Sequence, residues 1–321
     1  MGRSTGRTTA TAVALACTAA LLSPATAQPA AAISTPPPDT RISVTVDGRV
    51  RTARVHVPVP TPDLAKMPLV LAFHGRLGDG NDQEKITHFN SVADANGFLA
   101  VYPDGYQRSW NDGRRNTPSN RDGVRDVAFV RALLKRLVTS YSVDRRQVFA
   151  IGMSNGGFFA QRLGCVMAGQ FAAIATVASV MPRALARSCR PADPLPVLMV
   201  MGTDDPLVPY SGGDFGAGKV LSARATAKLW RSLANCHRPT NRMLRDRDPR
   251  DGTTVSLLTA NRCAGDASVK LYTVHGGGHT WPGGRQYLPR AAIGRTSRDF
   301  DASKAIWLFL HDKRREARPT A

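Results

Sequence analysis

No stretch of the chain reaches 18 consecutive apolar residues, so no segment reads as a membrane-spanning helix, and no stable membrane insertion is expected. Cysteine is scarce, 5 in 321 residues, which excludes a scaffold held by disulfides in place of a core. No C-x₂-C pair, no H-E-x-x-H helix and no EF-hand loop occurs, so neither a metal nor a cofactor is expected. Acidic residues are in short supply, 24 Asp+Glu against 43 Lys+Arg, which leaves a formal charge of +19. Nucleic acid is the obvious partner for such a chain, yet no zinc finger, RNP-type aromatic motif or basic helix is present. In the densest stretch, Arg245, Arg247 and Arg250 alternate with Asp246, Asp248 and Asp251, and the charges cancel. The excess reads as a solvated arginine-rich surface with loose attraction to anionic polymers, not as a nucleic-acid site.

What is present begins with a targeting pattern. Arg3 and Arg7 precede an apolar run from Thr11 to Leu22, and Ala25-Thr26-Ala27 supplies a small-x-small cleavage site. Residues 1–27 therefore read as a signal peptide, and the protein as secreted and extracellular. Its removal takes two arginines and leaves a mature charge of +17. Residues 28–40 are rich in Pro and Ala and read as a disordered leader. No later linker or repeat is visible, so 41–313 reads as a single catalytic domain followed by a basic tail, 314–321. A monomer is the simplest assembly. Hydrophobic residues make up 42%, enough at this length for a large core. Four cysteines remain after cleavage, and an even count in an exported chain suggests two disulfides. Sequence-local pairing, Cys165 with Cys189 and Cys236 with Cys263, is the arrangement expected among three possible ones.

Short, mostly apolar runs recur: 68–73, 97–102, 147–151, 171–180, 195–201 and 269–274. Such runs suit strands buried on both faces, as in a parallel sheet. Asp47-Gly48 between two β-branched runs predicts an N-terminal antiparallel hairpin over 42–58. Helical periodicity falls between the runs, at 124–138 with Asp122 as its cap, at 158–167, at 222–233 and at 301–311. Alternating strands and helices predict an α/β fold with a mostly parallel central sheet flanked by helices. Ligands in such folds gather at the carboxyl ends of the strands.

At one such end stands Gly152-Met153-Ser154-Asn155-Gly156, a G-x-S-x-G motif. Chance alone gives roughly 0.1 matches in a chain of this composition. Its context adds specificity, because it follows an apolar run and opens a helix, as a nucleophile turn requires. A serine nucleophile needs a histidine base and an orienting carboxylate, in the chain order Ser, acid, His for this strand–turn–helix setting. Asp204-Asp205 follow one strand end, and His275 and His279 follow another. From spacing alone either acid and either histidine fits. The oxyanion donors are expected from the backbone N–H groups of Asn155 and Arg76, the latter in the loop after the 68–73 strand. His74 in that loop reads as a bracing hydrogen-bonder.

With those residues in place the sequence resembles the secreted polyhydroxybutyrate-depolymerase-like esterases, a group including feruloyl and acetylxylan esterases of the α/β-hydrolase superfamily. The resemblance rests on Phe73-His74-Gly75, Tyr102-Pro103-Asp104-Gly105, Ser109-Trp110-Asn111, the Gly152–Gly157 block, Gly202–Tyr210 and Gly277–Gly283. It implies an α/β-hydrolase fold, Ser154 as nucleophile, Asp205 as acid, His279 as base, and a Cys236–Cys263 disulfide. It implies a serine carboxylesterase acting on feruloyl or acetyl esters of xylan, with polyhydroxyalkanoate as the alternative substrate. Two departures from the family pattern stand out. Arg76 occupies a position where the family often has a small residue, and the residues after Lys313 are too few for a separate polymer-binding domain. Trp110 and Trp281, beside the motifs, are the candidates for stacking on a substrate ring.

Overall fold

The computed structural model describes residues 1–3, 6, 39–59, 66–214 and 218–315. The expected signal peptide and most of the leader lie outside these residues, as do residues 316–321 of the tail. Every strand and helix among the described residues belongs to one unit, Pro36–Ala321. The strands are β1 (Asp39–Val46), β2 (Arg49–His56), β3 (Met67–Phe73), β4 (Leu99–Pro103), β5 (Val143–Met153), β6 (Ala173–Val177), β7 (Val197–Gly202), β8 (Gly213–Asp214), β9 (Lys219–Val220), β10 (Thr240–Met243), β11 (Thr254–Ala260) and β12 (Val269–His275). The α-helices are α1 (Gly80–Thr87), α2 (Phe89–Asn96), α3 (Pro118–Arg121), α4 (Asp126–Ser140), α5 (Asn155–Val166), α6 (Arg183–Ser188), α7 (Ala223–Leu233), α8 (Arg290–Ile293) and α9 (Ala302–Leu310).

Among the described residues ten strands form one sheet, in the order β1-β2-β4-β3-β5-β6-β7-β12-β11-β10. The inner six, β4 to β12, run parallel, and antiparallel strands close both edges. The protein has the α/β-hydrolase fold. The hairpin turn is Asp47-Gly48, both at positive φ (51° and 72°), the twist that a two-residue connection demands.

Alternation along β3 explains why its sequence looks continuously apolar. Leu69, Leu71 and Phe73 face one core with Phe129, Leu133, Phe158, Phe159 and Trp230 of α4, α5 and α7. Val70 and Ala72 face the other, with Phe89, Phe98, Ile306 and Trp307 of the α2 and α9 side. A strand covered on both faces has no solvent side to keep polar.

The structure corrects several boundaries. β1 begins at Asp39, which pairs with His56, so the leader read as 28–40 ends two residues early. α4 starts at Asp126 with Arg125 at its N-cap, and Asp122 closes α3 instead. Asp126 is buried in an ion pair with Arg51 at 2.9 Å, which fixes the start of α4 beneath the hairpin. Arg314 and Arg315 of the tail fold back, onto the Asp144 carboxylate and the Arg145 carbonyl. Two disulfides, Cys165–Cys189 and Cys236–Cys263, follow the sequence-local pairing.

Candidate active site

β5 ends at Met153 and α5 begins at Asn155, so Ser154 alone makes the turn. Its backbone sits at φ 52°, ψ −123°, a conformation costly for any residue with a β-carbon. The neighbours must therefore be small. A methyl group at Gly152 would lie 2.4 Å from the Gly156 carbonyl, and one at Gly156 would lie 2.1 Å from the Phe73 oxygen. Contacts that close exclude every side chain but hydrogen. The Ser154 N–H is held by the Val177 carbonyl at 2.9 Å, which ties the turn to the end of β6.

β7 and β12 are adjacent parallel strands, and the loops leaving their carboxyl ends carry the acid and the histidine. His279 Nδ1 lies 2.8 Å from Asp205 Oδ2, with both residues buried. The carboxylate can only accept, so Nδ1 carries the proton and Nε2 is left as the basic nitrogen. Asp205 Oδ1 accepts the N–H groups of Leu207 and Val208, each at 2.8 Å, and these bonds aim the carboxylate. Around the histidine, its N–H donates to the Ile293 carbonyl and its C=O accepts the Tyr287 hydroxyl at 2.9 Å. Burial, with the Asp205 charge adding to it, pushes the Tyr287 phenol well above its ordinary range, so it stays a donor.

The two alternatives that spacing left open are committed elsewhere. Asp204 accepts the Thr203 hydroxyl at 2.9 Å, and His275 Nε2 pairs with the Ser256 hydroxyl at 2.9 Å. Tyr210 braces the acid loop, its hydroxyl 2.9 Å from Thr273 Oγ1 on β12.

The expected oxyanion donors flank the serine. Gly75, Arg76, Leu77 and Gly78 form a tight turn closed by the Gly78 N–H on the Gly75 carbonyl at 3.1 Å. Leu77 at φ 68° occupies its third position, as a type II turn requires. Such a turn leaves the N–H of its second residue unused. Asn155 is the first residue of α5, where the N–H has no intrahelical partner. Among the described residues neither the Arg76 nor the Asn155 N–H meets a protein acceptor. A methyl group at Gly75 would lie 3.4 Å from Ser154 Cβ, so this turn abuts Ser154. His74 braces the turn: Nδ1 lies 2.7 Å from the Gly75 carbonyl, and Nε2 accepts the Gly105 N–H at 2.8 Å. That pattern needs a neutral ring, and burial holds its pKa below the ordinary value.

Trp110 and Trp281 are not surface platforms. Both are fully buried. The Trp110 ring stacks on Phe159 at 5.1 Å and its Nε1–H donates to the His74 carbonyl, while Trp281 Nε1–H donates to Ser303. Each packs beneath its loop, so the stacking role expected of them is withdrawn. A second buried group went unread in the sequence. Asp112 receives Asn155 Nδ2 at 2.6 Å and Arg114 Nη2 at 2.7 Å, and the Arg114 guanidinium lies 3.6 Å from the centre of the Phe158 ring. The two-residue spacing of Asp112 and Arg114 was visible, but the link to Asn155 crosses 43 residues. Tyr287 carried no local signal at all.

Comparison with known proteins agrees with this geometry. The family model for the esterase PHB depolymerase group matches residues 54–193. A protein of Nocardia uniformis subsp. tsuyamanensis named "Putative esterase NocK" is 32% identical over 279 residues, covering 83% of this chain and 81% of its own length. Feruloyl esterase B of Piromyces equi is 28% identical over 224 residues, 66% of this chain but 39% of that protein. In fold, the chain is similar to the acetyl xylan esterase from Aspergillus awamori, with a TM-score of 0.52 at 14% identity, covering 75% of this chain and 94% of that one. The chain belongs to the esterase PHB depolymerase family and is a carboxylic ester hydrolase.

Proposed function

We propose that the protein is a secreted esterase that removes feruloyl or acetyl groups from xylan through a Ser154–His279–Asp205 triad, acting as a monomer. The observation that carries the chemistry is the buried Asp205–His279 pair on the same sheet end as the strained Ser154 turn. In this reading His279 Nε2 takes the Ser154 hydroxyl proton as Oγ attacks the ester carbonyl. The Arg76 and Asn155 N–H groups hold the oxyanion, and the α5 N-terminus adds its partial positive charge. His279 returns the proton to the leaving alcohol, and water repeats the cycle on the acyl-enzyme. The relative named feruloyl esterase B supports the aromatic acyl group. The apolar targeting pattern and the two disulfides support export.

A second substrate reading, polyhydroxyalkanoate hydrolysis, is favoured by the family match itself. Four substrates separate the two: p-nitrophenyl acetate, methyl ferulate, acetylated xylan and a hydroxybutyrate film. The proposal expects release of ferulate or acetate with the film left intact. Film clearance without ferulate or xylan acetate release overturns the substrate assignment and leaves the esterase chemistry standing.

A further inference from the structure

We propose that the Arg76 side chain is a specificity-determining residue that selects ester substrates bearing a carboxylate near the scissile bond. This inference rests on the ester hydrolase reading of Ser154. Arg76 follows directly on Gly75, whose backbone abuts Ser154. The turn that carries it is rigidly held, through Gly78 N–H to Gly75, Leu77 N–H to the Arg108 carbonyl, and His74 beneath. Its side chain thus leaves the backbone at a fixed point, one residue from the glycine that abuts Ser154. The side chain is exposed, and among the described residues it makes no ion pair or hydrogen bond.

Nearby carboxylates are already engaged. Asp205 is held by His279, Leu207 and Val208; Asp112 by Arg114 and Asn155; Asp82 by Arg108; Asp104 by Arg41, Thr52 and Gly80. The Arg76 fork of donors is therefore free among the described residues. A guanidinium in that state recognises a carboxylate bidentately, which an ammonium cannot reproduce. The excess positive charge of the chain also raises the local concentration of anionic substrates. The carboxylate can belong to the acyl chain, as in a dicarboxylic acid hemiester, or to the alcohol, as in a uronate.

Two matched pairs distinguish these sources. On the acyl side, p-nitrophenyl hydrogen adipate is compared with p-nitrophenyl hexanoate. On the alcohol side, 4-acetoxybenzoate is compared with its methyl ester. The readout is the anionic-to-neutral ratio of kcat/KM, which a uniform loss of activity does not move. In at least one pair, Arg76→Gln should lower that ratio about fivefold, as loss of an exposed charge contact does. Arg76→Lys should restore part of it. Arg131→Gln on α4 removes the same charge far from the site and should leave the ratio unchanged. A ratio unmoved by Arg76→Gln in both pairs, or lowered equally by Arg131→Gln, overturns the proposal. Failure of the wild type to hydrolyse either neutral ester would instead sink the ester hydrolase reading, and this inference with it.

Discussion

Asn155 and Trp110 exchange hydrogen bonds across 45 residues: the Trp110 N–H donates to Asn155 Oδ1 at 2.7 Å, and Asn155 Nδ2 donates to the Trp110 carbonyl at 3.1 Å. The residue after Ser154 therefore does two things. Its backbone N–H opens α5, and its side chain locks the Ser109–Asn111 loop over the start of that helix. Replacing it strands buried donors and acceptors on Trp110 and Asp112. Asn155→Ala should cost about 2 kcal/mol. That corresponds to a fall in Tm of about 4–8 °C, measurable by calorimetry. An unchanged Tm would mean the loop is held by other contacts.

The acid and base assignments separate by substitution. Asp205→Asn should lower kcat/KM on p-nitrophenyl acetate by about 10³–10⁴-fold, because the wrong imidazole tautomer is stabilised. Asp204→Asn should keep most activity, since Asp204 accepts from Thr203 and not from His279. His275→Gln should likewise stay active while His279→Ala does not. Circular dichroism of each variant checks that losses are not unfolding.

How much of this was legible beforehand depended on burial. β3, β7 and the second half of β5 announce themselves because both faces are covered, so their runs are almost wholly apolar, and β12 shows through in spite of Lys270 and Thr273. The far edge, β10 and β11, stayed hidden. Thr240–Met243 is exposed throughout and reads as a polar loop, and β11 lies in a stretch with no such run. α1 was missed for a related reason: GNDQEKIT carries almost no apolar stripe and depends on the Asp79–Asp82 capping box. Ser154 was legible because its turn chemistry is local. The choice of Asp205 over Asp204 came from resemblance, since neighbouring acids differ only in which way a loop points them. Trp110 and Trp281 were misjudged because a tryptophan beside a motif looks the same whether its ring faces in or out. What decides is the indole partner, and Trp110 finds His74 36 residues earlier.

The disulfides should differ in accessibility. Cys165 and Cys189 are buried, whereas Cys236 and Cys263 are half-buried. Mild reductant should open Cys236–Cys263 first, read by differential alkylation and peptide mapping. The double variant Cys236→Ala/Cys263→Ala should lose about 3 kcal/mol, the value for a loop of this length. Simultaneous reduction of both bonds would contradict the accessibility argument.

His74 gives the fold a pH dependence of defined sign. Its folded pKa lies below the ordinary 6.5, so the stability it contributes is fully present above that value. It is lost as the pH falls from there through the folded pKa, where a protonated Nε2 would oppose the Gly105 N–H. Melting curves from pH 8 to 5 should fall more steeply for the wild type than for His74→Gln. Parallel curves would show that the ring is not the titrating group.

The central claim is that Ser154 is the nucleophile, and covalent labelling tests it most directly. A fluorophosphonate reacts with an activated serine and leaves a stable adduct. Intact-mass analysis of the wild type should reveal one adduct per chain, mapped to the peptide carrying Ser154, with ester hydrolysis abolished in step. Ser154→Ala should fold, take up no label and hydrolyse no ester above a small residual rate. Label on another residue, or full hydrolysis by a folded, unlabelled Ser154→Ala, would contradict the account.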